Sequence, residues 1–161
     1  MIFLTVGSHE PFDRLIRAMD AWCAIHPEAE VFGQITERSA HRPAHFAFVG
    51  TLDAPAYQAK CAEAALLVSH AGMGSILTAL DLGKPIVILP RRGHLKETRN
   101  DHQFATAREF RDKPGIFLAE DETGLAAALD RALAPGAGAG AAAPAFAEGR
   151  LIRFLAGLAR G

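Results

Sequence analysis

The chain has 161 residues, half of them hydrophobic and 22% charged, with a formal net charge of −1. That length suits one domain with a full hydrophobic core, and the balanced charge gives no electrostatic reason to expect nucleic acid as a partner. The two cysteines, Cys23 and Cys61, fall on segments that read as helices, so reduced thiols are expected and not a disulfide. Met1–Val6 is too short for a secretory leader, and no apolar run approaches the roughly 20 residues of a membrane span. Any membrane association is expected through a partner or a surface helix.

In chain order, Ile2–Val6 reads as a buried first strand followed by the loop Gly7-Ser8-His9-Glu10. Pro11 opens a helix with a buried face of Phe12, Leu15, Ile16 and Met19, extended by Trp22 and Ile25 and stopped by Pro27. Glu30–Ile35 and Phe46–Gly50 read as strands on either side of a polar loop with His41, Arg42 and His45. Tyr57–Ala64 is a short helix leading into a strand that ends at Ser69. Ile76–Gly83 has helical spacing and a glycine suited to a C-cap. Pro85–Pro90 is a buried strand, Arg91–Arg99 a charged loop, Asn100–Arg111 a helix and Gly115–Leu118 a last strand. Asp121 is placed to cap a helix running to Leu133. Short apolar strands alternating with helices predict an α/β fold: a Rossmann-like parallel sheet with helices on both faces. In such sheets ligands bind at the C-terminal ends of the strands, so the loops Gly7–Glu10, Ser69–Ser75 and Arg91–Gln103 are expected to converge. Residues 135–145, rich in Ala, Gly and Pro, read as a linker. Beyond it, residues 146–161 read as an amphipathic helix with Leu151, Phe154, Leu155 and Leu158 on one side.

The stretch Ser69-His70-Ala71-Gly72-Met73-Gly74-Ser75 joins a buried strand to a helix. Such a turn presents bare N–H groups at a helix N-terminus, where a phosphate is favoured. Gly-x-Gly by itself is equally compatible with a tight turn that binds nothing. A nicotinamide-binding domain wants its glycine-rich turn after the first strand and an acidic residue at the end of the second. Here those positions hold a single Gly7 and Phe32-Gly33-Gln34. A P-loop is excluded, because no Gly-x-x-x-x-Gly-Lys occurs.

Four motifs, Met1-Ile-Phe-Leu-Thr-Val-Gly-Ser-His-Glu, Ser69-His-Ala-Gly-Met-Gly-Ser, Leu82-Gly-Lys-Pro-Ile-Val-Ile-Leu-Pro-Arg-Arg and Asn100-Asp-His-Gln, occur in this order. Over residues 1 to about 133 the chain resembles the C-terminal, donor-binding domain of MurG-type glycosyltransferases. It is most similar to the stand-alone form, the Alg13 and bacterial PssE-like subunits of exopolysaccharide synthesis. The resemblance implies a single GT-B half-domain over residues 1–134 that binds a UDP-sugar. It would serve as the catalytic subunit of a two-component enzyme that transfers a hexosyl residue to a lipid-linked acceptor. It also implies a membrane-anchored Alg14- or PssD-like partner carrying the acceptor half, and hence a cytoplasmic protein peripheral to the inner membrane face. The C-terminal helix is the expected contact with that partner. Carried over by position, Gly72, Met73, Gly74 and Ser75 would face the pyrophosphate, Gly7 and Ser8 would form the loop below it, and Asn100, Asp101 and Gln103 would reach the sugar. Relatives commonly place a ribose-binding glutamate where this chain has Thr78.

Single residues keep bland alternatives. His70 is either a ligand contact or a satisfied structural histidine, and His9 either a weak candidate base or a solvated loop residue, with the general base expected on the partner. Arg91, with Arg92 and Lys96, either turns inward toward phosphate or sugar carboxylate, or is solvated. His94 and His102 lack the accompanying ligands of a metal site, so neither metal nor cofactor is expected beyond the UDP-sugar donor. The alternative function is a non-catalytic subunit that stabilises a partner glycosyltransferase.

Overall fold

The structure, a computed structural model, describes residues 1–99 and 102–138. Its elements follow one another as β1 (Ile2–Thr5), α1 (Asp13–Ile25), β2 (Val31–Gln34), β3 (Ala47–Val49), α2 (Ala54–Glu63), β4 (Leu66–His70), α3 (Met73–Asp81), β5 (Ile86–Leu89), α4 (His102–Phe110), β6 (Ile116–Leu118) and α5 (Leu125–Leu133). The strands form one parallel sheet in the order β3-β2-β1-β4-β5-β6. This is the doubly wound Rossmann-like arrangement, in which the chain reverses its direction of travel between β1 and β4.

Both faces are covered, which is why the strands read as unbroken apolar runs. Leu4, Val68, Val87 and Leu89 point to one side, against Leu15, Ile16 and Met19 of α1 and Leu125, Ala128 and Leu129 of α5. Their strand neighbours Phe3, Leu67, Ile86 and Ile88 point to the other, against Cys61 of α2, Ile76 and Ala79 of α3, and Ala107 and Phe110 of α4. Cys23 and Cys61 are buried on opposite faces and unbridged. Burial raises both thiols, Cys23 to about 11, so neither is poised as a thiolate.

Three local expectations shift. Ile25 is 74% exposed, because at 3.6 residues per turn it leaves the arc set by Leu15, Ile16, Met19 and Cys23. Helix α2 begins at Ala54, before the expected Tyr57: the Asp53 carboxylate accepts from the Ala56 N–H at 2.8 Å, and Pro55 occupies the first turn. Helix α3 begins at Met73, so Gly74 and Ser75 lie within its first turn.

The β2–β3 connection carries no helix, and α1 holds it instead. The Asp20 carboxylate accepts from the N–H groups of Ala44 (3.0 Å) and His45 (2.9 Å) and pairs with His41 Nε2 (3.0 Å) and His45 Nδ1 (3.1 Å). Burial opposes its charge, but the His45 and Ala44 amides and the two imidazoles hold the carboxyl below its usual range. Asp20→Ala should therefore cost about 1.5–3 kcal/mol, the usual worth of hydrogen bonds to a charged group. With a folded value below the unfolded one near ~3.9, the stabilisation is present above that pH and lost as acid protonates the folded carboxyl. Urea denaturation of wild type and variant should accordingly differ at pH 7 and converge at strongly acidic pH.

Candidate functional site

The strand register brings the ends of β1, β2, β4 and β5 to one edge, with Thr5 opposite both Gln34 and Ser69, and His70 opposite Leu89. The loops that follow β1, β4 and β5 therefore meet, as the topology predicts. A groove lies elsewhere, between α1 and α5, but much of its lining is apolar (Ala18, Trp22, Ile25, Leu125), and Arg14 on its wall is committed to carboxylates.

At the strand-end edge, Gly72 is the N-cap of α3 and supplies no side-chain cap. The first intrahelical bond runs from the Ile76 N–H to Gly72 O at 3.2 Å. The N–H groups of Met73, Gly74 and Ser75 thus have no acceptor within the helix. Among the described residues, and beyond its own turn of helix, a Cβ on Gly74 would meet no heavy atom within 4 Å, so this side of the turn is open there. Gly72 is constrained for a different reason: a Cβ there would stand 1.9 Å from His70 Cε1. Gly7, at φ +86°, lies on the other side of the same ring, where an added Cβ would be 3.1 Å from His70 Nε2. The imidazole thus spans the two turns and packs where two side chains are missing.

His70 is half-buried at the end of β4, and its Nδ1 is shut off from solvent with no hydrogen-bond partner among the described residues. Burial, and then the charge of Arg91, lower its pKa to about 4, so the ring is neutral at pH 7. Within the described residues nothing hydrogen-bonds that nitrogen.

A polar layer supports the turns from below. The Gly7 N–H donates to Thr5 Oγ1 at 3.2 Å, and Gly7 O accepts from Gln34 Nε2 at 3.0 Å. The Tyr57 hydroxyl lies beside the side chains of Ser75, Cys61 and Thr5, and burial pushes it up to about 12. Ser75 is buried beside this layer, and Gly7 contributes shape, since its amide points inward. Ser8 pairs with His9 Nδ1 at 2.7 Å, both exposed, so His9 stands on the loop's outer side. Thr78 is half-buried and donates its hydroxyl back to Gly74 O at 2.9 Å.

The charged loop after β5 departs most from expectation. Arg91 is only 4% exposed, so the solvated reading falls. It turns inward onto main-chain carbonyls: Pro11 O (2.6 Å) and Glu97 O (3.1 Å) from Nη1, and Val6 O (2.8 Å) and Glu10 O (2.7 Å) from Nη2. The expected contact with phosphate or sugar carboxylate is thus corrected. A guanidinium offers a fixed fork of donors, and here the terminal nitrogens of that fork are taken up by the loops. The Arg91 N–H donates to Gln103 Oε1 at 3.1 Å, which brings Gln103 to the site edge. Arg92 reaches away from the site to Glu120 O. Asn100 and Asp101 lie outside the described residues, as do residues 139–161, with most of the expected linker and the whole C-terminal helix.

Sequence reasoning missed Tyr57, Gln34 and the pair Arg14–Glu97. Arg14 grips Glu97 through Nε–Oε1 and Nη2–Oε2, both 2.8 Å, and Glu97 Oε2 also accepts from the Arg92 N–H. The one available signal was an arginine and a glutamate interrupting segments otherwise read as an apolar helix start and a solvated loop. No local pattern linked the two.

Among the described residues, no helix is long and apolar enough to cross a membrane, and no group of three His, Cys, Asp or Glu is gathered to hold a metal. The family model described as the glycosyltransferase family 28 C-terminal domain matches residues 1–145. The chain is 36% identical over 55 residues to the mouse UDP-N-acetylglucosamine transferase subunit ALG13, a stretch covering 34% of this chain and 4% of that protein. The solution structure of ALG13 superposes with a TM-score of 0.56 at 19% identity, over 82% of this chain and 84% of that one. MurG of Acinetobacter baumannii does so with a TM-score of 0.54 at 17% identity, over 80% of this chain and 40% of that one. The glycotransferase of kitacinnamycin gives 0.65 at 21% identity, over 85% of this chain and 36% of that one. The fold is thus that of one half of a GT-B glycosyltransferase, and the chain spans about a third of the length of several such enzymes. With the family model covering nearly its whole length, this chain belongs to the glycosyltransferase family 28 C-terminal domain family.

Proposed function

We propose that this chain is the UDP-sugar-binding, catalytic subunit of a two-component glycosyltransferase. The observation that carries the reading is the uncapped start of α3, whose free N–H groups adjoin the unpaired, shielded Nδ1 of His70. Fixed donors and a helix dipole gathered at one point match a diphosphate. In the reaction the sugar C1–O bond to the β-phosphate breaks as an acceptor hydroxyl attacks C1, and negative charge collects on the departing UDP. Donors already in place stabilise that charge without reorganising, and in this reading no metal is required. Gln103, with Asn100 and Asp101, is assigned to the sugar hydroxyls, which need groups that both donate and accept.

The relative named a UDP-N-acetylglucosamine transferase subunit supports both the UDP-sugar class and the subunit character. We assign the acceptor half and the general base to a membrane-anchored Alg14- or PssD-like partner. The acceptor is a lipid-linked sugar of exopolysaccharide synthesis, and the chain sits peripherally on the cytoplasmic face. Residues 146–161, with Leu151, Phe154, Leu155 and Leu158 in one stripe and Arg150, Arg153 and Arg160 off it, are assigned to the partner contact.

Because a Cβ at Gly74 meets no other part of the described residues within 4 Å beyond its own turn of helix, Gly74→Val should fold with a near-native melting temperature yet lose UDP binding in calorimetric titration. Unchanged UDP affinity would remove the phosphate from this turn. An anion beside His70 favours its charged form, so saturating UDP should move the imidazole titration upward from about 4, read by proton NMR. In the free protein the sign is the reverse. The folded value lies below the unfolded ~6.5, so the His70 contribution to stability is lost as pH falls from there toward the folded value. The purified chain alone should show little glycosyl transfer. Deleting residues 139–161 should leave UDP binding intact while abolishing co-purification with the partner.

A further inference from the structure

The Arg91 guanidinium has a use that a ligand contact would not explain. One nitrogen, Nη2, bonds the carbonyls on both sides of the Gly7-Ser8-His9 loop, Val6 O at 2.8 Å and Glu10 O at 2.7 Å. The other joins that loop to the segment after β5 through Pro11 O and Glu97 O. The ring of Phe12 lies 4.6 Å from its central carbon, and the side chain is 4% exposed. Among the described residues no carboxylate forms a direct ion pair with it; the charges of Glu97 and Glu10 favour the cation from a distance, and main-chain carbonyls supply its hydrogen bonds. Such an arrangement is costly unless its geometry is kept. Lysine carries the charge but cannot reproduce the planar fork. The clamped loop carries Gly7, against which the His70 ring packs, and the Arg91 N–H fixes Gln103 Oε1.

We propose that Arg91 is a positioning residue whose guanidinium sets the Gly7–His9 loop, and with it His70, in the ligand-ready arrangement before any donor binds. This rests on the reading of the site as a UDP-sugar site, although the clamp can be tested without ligand. In the unliganded wild-type protein, the Arg91 side-chain N–H protons should give separate, slowly exchanging signals in nitrogen-edited NMR. The amides of residues 7–10 should exchange with solvent at least about tenfold faster in Arg91→Lys than in wild type, as expected for the loss of hydrogen bonds to a charged group. Amides of β4 and β5 should keep their protection. Arg91→Lys should also bind UDP about tenfold or more weakly, while its His70 still titrates low. Arg91→Met, which removes the charge as well, should raise the His70 titration. A single averaged Arg91 signal in the wild type overturns the proposal even if both variants fail to fold. So does wild-type exchange at residues 7–10 in a folded Arg91→Lys protein. Wild-type protein that fails to bind UDP while showing the clamp signatures would sink the donor reading and leave the clamp standing.

Discussion

The strand-end site depends on one packing constraint, the accommodation of the His70 ring between two residues that have no Cβ. Gly72 leaves the room that the Cε1 edge occupies, and Gly7 leaves the room beside Nε2. A side chain at Gly72 would collide with the imidazole at a distance no real Cβ adopts. The ring in turn joins the turn before α3 to the loop after β1, across the point where the sheet order reverses. That reversal is where a doubly wound fold opens a crevice. In this chain the crevice wall is a neutral imidazole and a helix start without a capping side chain.

The polar groups beneath the turns explain what is left for a ligand. The Tyr57 hydroxyl lies beside the side chains of Ser75, Cys61 and Thr5, and the Gly7 amide and carbonyl bond to Thr5 and Gln34. Arg91 and the Arg14–Glu97 pair spend their donors on loop carbonyls and on each other. Buried polar groups are usually paired, and here the Gly7 main chain and the guanidinium of Arg91 are paired inward, while Ser69 Oγ and Gln34 Oε1 have no hydrogen-bond partner among the described residues. The backbone amides of the first turn of α3 are donors that no side chain caps, which is why the proposed diphosphate site is placed on them. Arg91 makes the same point for electrostatics. Burial keeps the His70 ring neutral, and the charge of Arg91 adds to that effect although its nitrogens face carbonyls.

Much of the fold was legible in the sequence. The apolar runs of β1, β4 and β5 are buried on both sides, so hydrophobicity alone locates them. The turn at Gly72–Ser75 and the helix stop at Gly83, at φ +62°, are local properties of glycine. The site was half legible. Its backbone part follows from a strand breaking into a helix, and Gln103 does reach its edge. The side-chain part was read less well: Ser75 and Arg91 are the polar residues one would aim at a phosphate, and both are engaged within the protein.

The sequence by itself determined the alternation of strands and helices, the place of the glycine turn and the motif resemblance. Each of these is set by residues a few positions apart, whose spacing is also their geometry. Only the tertiary structure decided which polar side chains face outward. Arg91 finds its acceptors 80, 81 and 85 positions away, and Arg14 finds Glu97 across 83. A buried charge takes whatever acceptors the packed sheet brings to it, and strand order, not sequence distance, places them there.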